Sequence, residues 1–176
     1  MDEGENLAGF EDFYRHNFAA VARAVYVTLS SADEARDIAQ EAFVRTWEHW
    51  GRVGRHSPLF FTLRVARNLA TSRIRHLIRS RRAVDALAAE RDREVASPDG
   101  EVGIAEALAG LPPRQRWAVV LCDLLEMTST EAAAVVGVSP STLRVHLARA
   151  RERLREALDA EEGSIAATDP VPNRRS

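Results

Sequence analysis

No lysine occurs among the 176 residues; all 24 basic side chains are arginine. With abundant alanine, that bias is what coding from GC-rich DNA produces. Physically, every cation is a planar guanidinium, which grips phosphate bidentately and stacks on bases. Cysteine is nearly absent. Cys122 is the single thiol, which excludes an intrachain disulfide, and it sits in the apolar run Trp117–Leu125, where it reads as a small buried hydrophobe. No Cys or His stands at ligand spacing around it, and His16, His49, His56, His76 and His146 are scattered, so no metal or other cofactor is expected. A metal nuclease needs clustered carboxylates, and the acids that do cluster, Asp33, Glu34, Asp37 and Glu41, point along an amphipathic helix that looks like a docking surface, so no enzyme is expected. No apolar run approaches the roughly 18–20 residues of a membrane span. The acidic start, Met1–Glu5, lacks the basic-then-apolar layout of a signal peptide. A cytoplasmic protein without membrane insertion is the expectation.

Strand signals are missing as well: there is no sustained alternation and no Asn-Gly or Asp-Gly hairpin. Helical spacing dominates, so the expected class is all-α, two small helical domains joined by a linker. Phe10, Phe13, Tyr14, Val21, Ala24 and Val25 mark a first helix. Ala35, Ile38, Ala39, Ala42, Phe43, Thr46, Trp47 and Trp50 share one side of a second, over about Ala32–Trp50. Ser57-Pro58 can cap and open a third, which carries Leu59, Leu63, Ala66, Ala70, Ile74, Leu77 and Ile78. The first module spans 1–82. A linker over 83–103 contains the breaker Ser97-Pro98-Asp99-Gly100, a second module spans 104–160, and 161–176 reads as a disordered tail.

The net charge of −2 conceals strong segregation. Gly51–Arg82 holds nine arginines and no acid, whereas Met1–Trp50 holds four arginines against ten acids. Ser139–Leu158 carries five arginines against two acids. A basic block can be a solvated face, but two of them on helices of distinct type favour a polyanionic partner. The acidic N-terminal part would repel DNA and should face something else.

In the second module, Leu111-Pro112-Pro113 opens a helix running to about Glu126. Thr128 and Glu131 fit a capping box, and the next helix ends near Gly137. Ser139 then caps a helix with Pro140 in its first position, and Val138 and Leu143 are spaced as a hydrophobic staple. Leu143, Leu147, Ala150, Leu154 and Leu158 form the inner stripe of this helix. Helix, tight turn and arginine-bearing helix make a helix-turn-helix, although a plain helical hairpin shares much of the pattern. Opposite the stripe lie Ser141, Arg144, Val145, Ala148, Arg149 and Glu152. The small side chains permit close approach to the major-groove floor. Arg144 and Arg149 are candidates for bidentate guanine contacts, worth roughly 1–3 kcal/mol of discrimination each. His146, Arg151 and Arg155 lie to the flanks, within reach of phosphate.

In the first module, Trp47, Trp50, Phe60 and Phe61 flank a basic helix with Arg64, Arg67, Asn68, Arg73 and Arg75. Rings interleaved with arginine suit single-stranded nucleic acid, with bases stacking on rings while arginines track the backbone. For Phe43, Trp47 and Phe61 taken singly, a core position is the favoured reading. Trp50 and the polar loop Gly51–Ser57 are the better candidates for exposed function.

Taken in order, these residues resemble the extracytoplasmic-function (ECF) sigma factors of the sigma-70 family. Asp33-Glu-Ala-Arg-Asp-Ile-Ala-Gln-Glu-Ala-Phe-Val-Arg-Thr-Trp47 is similar to the region 2 helix that docks on core RNA polymerase. Leu63-Arg-Val-Ala-Arg-Asn-Leu-Ala70 is similar to the helix that reads the promoter −10 element. Leu111-Pro-Pro-Arg-Gln-Arg116 and Gly137–Arg151 are similar to region 4, which reads the −35 element. The resemblance implies polymerase-facing Asp37, Gln40, Glu41 and Arg45. For the −10 element it implies Trp50, Arg52, Arg55, His56, Phe61, Arg64, Arg67 and Asn68, with the Trp50–Pro58 loop holding a flipped base. For the −35 element it implies Ser141, Thr142, Arg144, Val145, His146, Ala148 and Arg149. The implied partners are core RNA polymerase, promoter DNA and an anti-sigma factor. Two departures stand out: Phe61-Thr62 replaces the family's Trp-Leu, and Ser72 stands near its usual Asp.

Two other readings compete. A conventional regulator with a LuxR-like helix-turn-helix needs an α/β receiver in front, and the first 82 residues show no strand pattern. A helical adaptor that binds no DNA leaves the acid-free arginine block without a purpose.

Overall fold

The computed structural model describes the backbone of residues 3–54, 57–85 and 107–167. Arg55, His56, most of the expected linker and residues 168–176 lie outside that set. Among the described residues there is helix and no strand, as the spacing predicts. None of these helices is long and apolar enough to cross a membrane.

The first module comprises α1 (Glu3–Leu29), α2 (Ala32–Glu48), the single turn α3 (Trp50–Val53) and α4 (Pro58–Asp85). Helices α1, α2 and α4 pack on one another. They bury Val21, Ala24 and Val25 against Ala35, Ala39, Ala42 and Phe43, and against Leu63, Ala66 and Ala70. So many alanines at the contact let helix axes approach toward the short end of the usual spacing of roughly 8–10 Å. Ser30, left-handed at φ 57°, breaks the chain between α1 and α2. Ser31 then caps α2 by accepting from the Glu34 N–H at 3.4 Å, and Asp33 and Glu34 occupy the first turn, where the helix dipole favours them.

Thr62, one of the departures from the family pattern, has a structural role. It is fully buried, and its hydroxyl lies 2.8 Å from that of Thr46 across the α2–α4 contact. Each hydroxyl also reaches a carbonyl of its own helix, Thr46 that of Ala42 at 2.7 Å and Thr62 that of Pro58 at 2.8 Å. A polar pair that satisfies itself avoids the penalty of an unpaired buried hydroxyl.

The second module contains a helical turn at 107–110, α5 (Pro113–Val119), a wide π-helical turn (Val120–Leu124), α6 (Ser129–Val136) and α7 (Pro140–Ala167). The regular helix thus stops at Val119, short of the expected Glu126. Three consecutive apolar residues cannot all face one side of a 3.6-residue helix. Widening the turn buries both Val120 and Leu121, with the Leu125 N–H reaching back to the Val120 carbonyl at 3.0 Å. Cys122, within this turn, is half-buried, and burial raises its thiol pKa.

Both long helices outrun their modules. Leu77 and Ile78 on α4 are exposed, as is Leu158 on α7, so the apolar stripes read from the sequence end in solvent. Helix α7 continues to Ala167, into the stretch expected to be a tail. The modules also touch. Helix α4 packs on α6, α1 meets α5 and the π-turn, and buried side chains of both modules form one continuous core. The sequence reading, with a linker between independent modules, does not anticipate this.

Candidate nucleic-acid interface

The helix-turn-helix is fixed by local hydrogen bonds. The Thr128 hydroxyl accepts from the Glu131 N–H at 3.3 Å, and the Glu131 carboxylate accepts from the Thr128 N–H at 2.8 Å. The Thr128 hydroxyl also donates to the Glu131 carboxylate at 2.7 Å, and this bond, with that from the Thr128 N–H, holds the Glu131 pKa below its ordinary value. Helix α6 ends at Gly137, whose φ of 72° is left-handed backbone that glycine adopts without steric cost. Ser139 starts α7 by accepting from the Thr142 N–H at 3.1 Å.

Leu143, Leu147 and Ala150 anchor α7 in the core, leaving Ser141, Arg144, Val145, Ala148 and Arg149 exposed on its outer face. Neither Arg144 nor Arg149 has an ion-pair partner among the described residues. Thr142 is exposed too, but its hydroxyl lies 2.7 Å from that of Ser139 and is engaged at the cap. The ring of His146 is turned inward, with both nitrogens buried and without a hydrogen-bond partner. Arg151 does not extend toward phosphate: it forms a two-pronged ion pair with Asp123 that ties α7 to the π-turn. That contact raises the Arg151 pKa.

In the first module, Phe10, Phe13, Tyr14, Phe18, Phe43, Trp47 and Trp50 form one continuous chain of ring contacts. Phe43 is its buried centre. Trp47 rests on Phe10 at 5.0 Å between centroids yet is 42% exposed, so it is neither core nor free surface. Trp50 packs edge-on to Phe10 at 5.2 Å. Gly54 is required beside it, because a β-carbon there would lie 2.8 Å from the Trp50 ring and 2.9 Å from the Trp50 carbonyl. An open cleft of about 490 Å³ lies between the start of α1 and the α2–α3 corner, lined by Asn6, Leu7, Trp47, Trp50 and Gly51. Asn6 and Leu7 went unnoticed in the sequence because nothing local links them to Trp50. Phe61 is half-buried against the His49 ring at 5.3 Å.

Arg52, Arg64 and Asn68 are exposed, whereas Arg67 is half-buried. Burial lowers the Arg67 pKa, and the guanidinium groups of Arg114, Arg64 and Arg75 push it the same way. Arg73 is engaged by Glu34, which ties α4 to the start of α2 and lowers the Glu34 pKa through that hydrogen bond. On the outer face of α2, Asp37, Gln40, Glu41 and Arg45 are all exposed, with Glu41 and Arg45 paired at 2.7 Å. Val44, 51% exposed, sits among them; the helical period alone places it there, but an isolated valine carries no signal of its own.

Residues 13–83 match the family profile described as Sigma-70 region 2, and residues 102–154 match that of Sigma-70, region 4. The RNA polymerase sigma-E factor of Streptomyces avermitilis is 31% identical over 167 residues, covering 92% of this chain and 91% of that protein. This chain belongs to the ECF sigma factors. The ECF RNA polymerase sigma factor SigE of Mycolicibacterium smegmatis is 30% identical over 86% of the chain, which spans 62% of that relative's length. The fold matches the sigma factor RpoE of Bartonella quintana, solved with the anti-sigma factor NepR. That match has a TM-score of 0.71 at 24% identity and covers 85% of this chain and 96% of the other. It also matches CnrH, solved with the cytosolic domain of CnrY, at a TM-score of 0.65 and 23% identity, covering 86% and 88%.

Proposed function

We propose that this ECF sigma factor binds core RNA polymerase and directs promoter-specific initiation through two chemically different contacts. Helix α7 enters the major groove of the −35 element, with Arg144 and Arg149 reading guanine edges while Ser141, Val145 and Ala148 permit close approach. The first module takes the −10 element as unpaired DNA. Its Trp50 corner, followed in the sequence by Arg55 and His56, receives a base turned out of the stack, while Arg52, Arg64, Arg67 and Asn68 hold the backbone. Turning out a base costs a few kcal/mol, which stacking on aromatic rings at roughly 1–3 kcal/mol per base helps offset. The exposed α2 face, Asp37, Gln40, Glu41, Val44 and Arg45, meets polymerase and gives the acidic part of the chain a partner other than DNA.

The observation that carries this reading is the pairing of two unlike surfaces in one chain. One is a capped helix with two unpaired, outward arginines; the other is a ring-lined corner beside a basic helix. A conventional helix-turn-helix regulator needs only the first, and the described residues ahead of the linker contain no strand from which a receiver domain is built. The sigma factor RpoE of Bartonella quintana was solved with an anti-sigma factor, and by that likeness this chain is held by an anti-sigma factor until a signal releases it. Reconstitution tests the central reading. Adding the protein to core polymerase over a library of genomic promoter fragments should yield transcripts that appear only in its presence. Failure to bind core polymerase or to direct initiation would return the helix-turn-helix to an ordinary repressor or activator.

A further inference from the structure

We infer that Val145 reads a base: its side chain packs on the C5 methyl group of a thymine in the −35 element, between the base pairs contacted by Arg144 and Arg149. This rests on the reading of α7 as the −35 helix and adds to it an apolar contact that selects a second kind of base.

Val145 is 47% exposed, and among the described residues of the second module only Leu158 is another exposed large apolar side chain. Leu158 prolongs the inner stripe of α7 that starts with Leu143 and Leu147 in the core. Val145 prolongs nothing. Around it on the outer face stand Ser141, Arg144, Ala148, Arg149 and Glu152, all exposed, and none is a large apolar residue that could shelter it. Isolated exposed apolar side chains are common and carry no meaning alone. What singles out Val145 is its place on the face that enters the groove, where it adds nothing to the helix itself. Valine is a poorer helix former than the arginine and glutamate residues beside it.

The geometry gives this valine a defined reach. At 3.6 residues per turn, Ser141, Val145, Ala148 and Glu152 follow the centre line of the outer face, with Arg144 on one edge and Arg149 on the other. The two arginines are five residues apart, roughly 7.5 Å along the axis, which is the rise of about two base pairs. Val145 stands between them, and its short side chain touches only what lies directly beneath the helix. Its direction is set from behind. Leu143, Leu147 and Ala150 are buried, the Ser139 cap holds the first turn, and both ring nitrogens of His146 are turned inward. A valine in a helix keeps one strongly preferred rotamer, so its methyl groups point one way and lose little freedom on binding. In the major groove thymine alone shows a methyl group, whereas the other bases present polar atoms that a valine would cover without pairing. The contact therefore favours thymine and disfavours its alternatives at one position.

The test is competition binding by the full-length chain with core polymerase to a promoter recovered in the reconstitution above. Each thymine of the −35 element, on either strand, is replaced singly by uracil, which removes the methyl group and leaves every hydrogen-bonding atom in place. Wild type should lose about three- to fivefold in affinity at one thymine, the effect of withdrawing one methyl group from a buried contact. That thymine should lie beside or between the guanine pairs at which Arg144→Ala and Arg149→Ala lose discrimination. Val145→Ala should bind the thymine and uracil promoters equally there. Val145→Ile, still branched and apolar, should keep the preference, and so should Arg144→Ala, which separates loss of the methyl contact from loss of the helix. If no uracil weakens wild-type binding while guanine replacements still do, the inference is overturned and the −35 reading stands. A uracil effect that persists unchanged in Val145→Ala would also overturn it, because another side chain then holds the methyl group. Indifference to every −35 base, guanine included, would remove the −35 reading and this inference with it.

Discussion

The two modules are held in opposite ways. The helix-turn-helix is shaped by neighbours in sequence: Thr128 with Glu131, Gly137 at a left-handed turn, Ser139 with Thr142. The first module is shaped by residues far apart, such as Phe10 on Trp47, Phe13 on Phe43 and Thr46 against Thr62. That difference suits the role proposed for each. A helix presented to duplex DNA needs one fixed orientation, which short-range caps supply. A corner that accepts a base out of the stack needs a broad apolar platform, which only several helices together provide.

The largest effect should come from breaking the long-range network at its centre. Phe43→Ala removes the ring on which Phe13, Tyr14 and Phe18 converge and should cost roughly 3–5 kcal/mol. Urea titration followed by tryptophan fluorescence should show the first module unfolding early. No single cap in the second module should match that loss.

Next in size is the reading face. Arg144→Ala and Arg149→Ala should each weaken specific −35 binding by roughly 1–3 kcal/mol while leaving thermal stability unchanged, because neither side chain supports the fold. Competition binding against −35 duplexes bearing single guanine replacements checks this. An arginine that reads a given guanine should lose discrimination at that base alone.

This contrast also explains what the sequence made legible. The helix-turn-helix could be placed almost to the residue because caps, a glycine C-cap and a proline in the first helical turn are short-range signals. Trp47 reads from its spacing as core, yet its ring is half-exposed and its position is defined by Phe10, on a different helix. The Asp123–Arg151 pair spans 28 residues and the Arg116–Thr28 bond 88, and no periodicity encodes either. The π-turn escaped notice because Val119–Leu121 reads as ordinary helix until packing demands that two adjacent residues be buried. Thr62 looked like a mere departure from the family pattern, and its reason appears only with Thr46 beside it.

A smaller pair of substitutions sharpens the comparison. Thr128→Ala removes a local cap and should cost roughly 0.5–2 kcal/mol, felt in the second module. Thr62→Val removes a cross-helix hydroxyl contact and should cost about 1 kcal/mol, felt in the first. Hydrogen exchange resolves which module loosens. If either substitution loosened both modules equally, the division into local and long-range construction would fail.

The smallest effect is a pH dependence. Arg73 holds the Glu34 carboxyl below its ordinary value of 4.5. A carboxylate whose folded pKa is depressed contributes stability that is full above the unfolded value and lost as pH falls through the folded one. The urea-midpoint difference between wild type and Glu34→Gln should therefore be constant near neutrality and vanish progressively below about pH 4.5. It should remain modest because the pair is partly exposed.

The most direct test of the central claim, that one module reads duplex and the other unpaired DNA, is transcription from a promoter whose −10 element is melted in advance by mismatch. Trp50→Ala and Arg144→Ala would each be compared on intact and pre-melted templates. The account predicts that pre-melting restores Trp50→Ala substantially, since the cost of opening has been removed, and does nothing for Arg144→Ala. Equal rescue of both variants, or of neither, would contradict the assignment of the two modules to two forms of DNA.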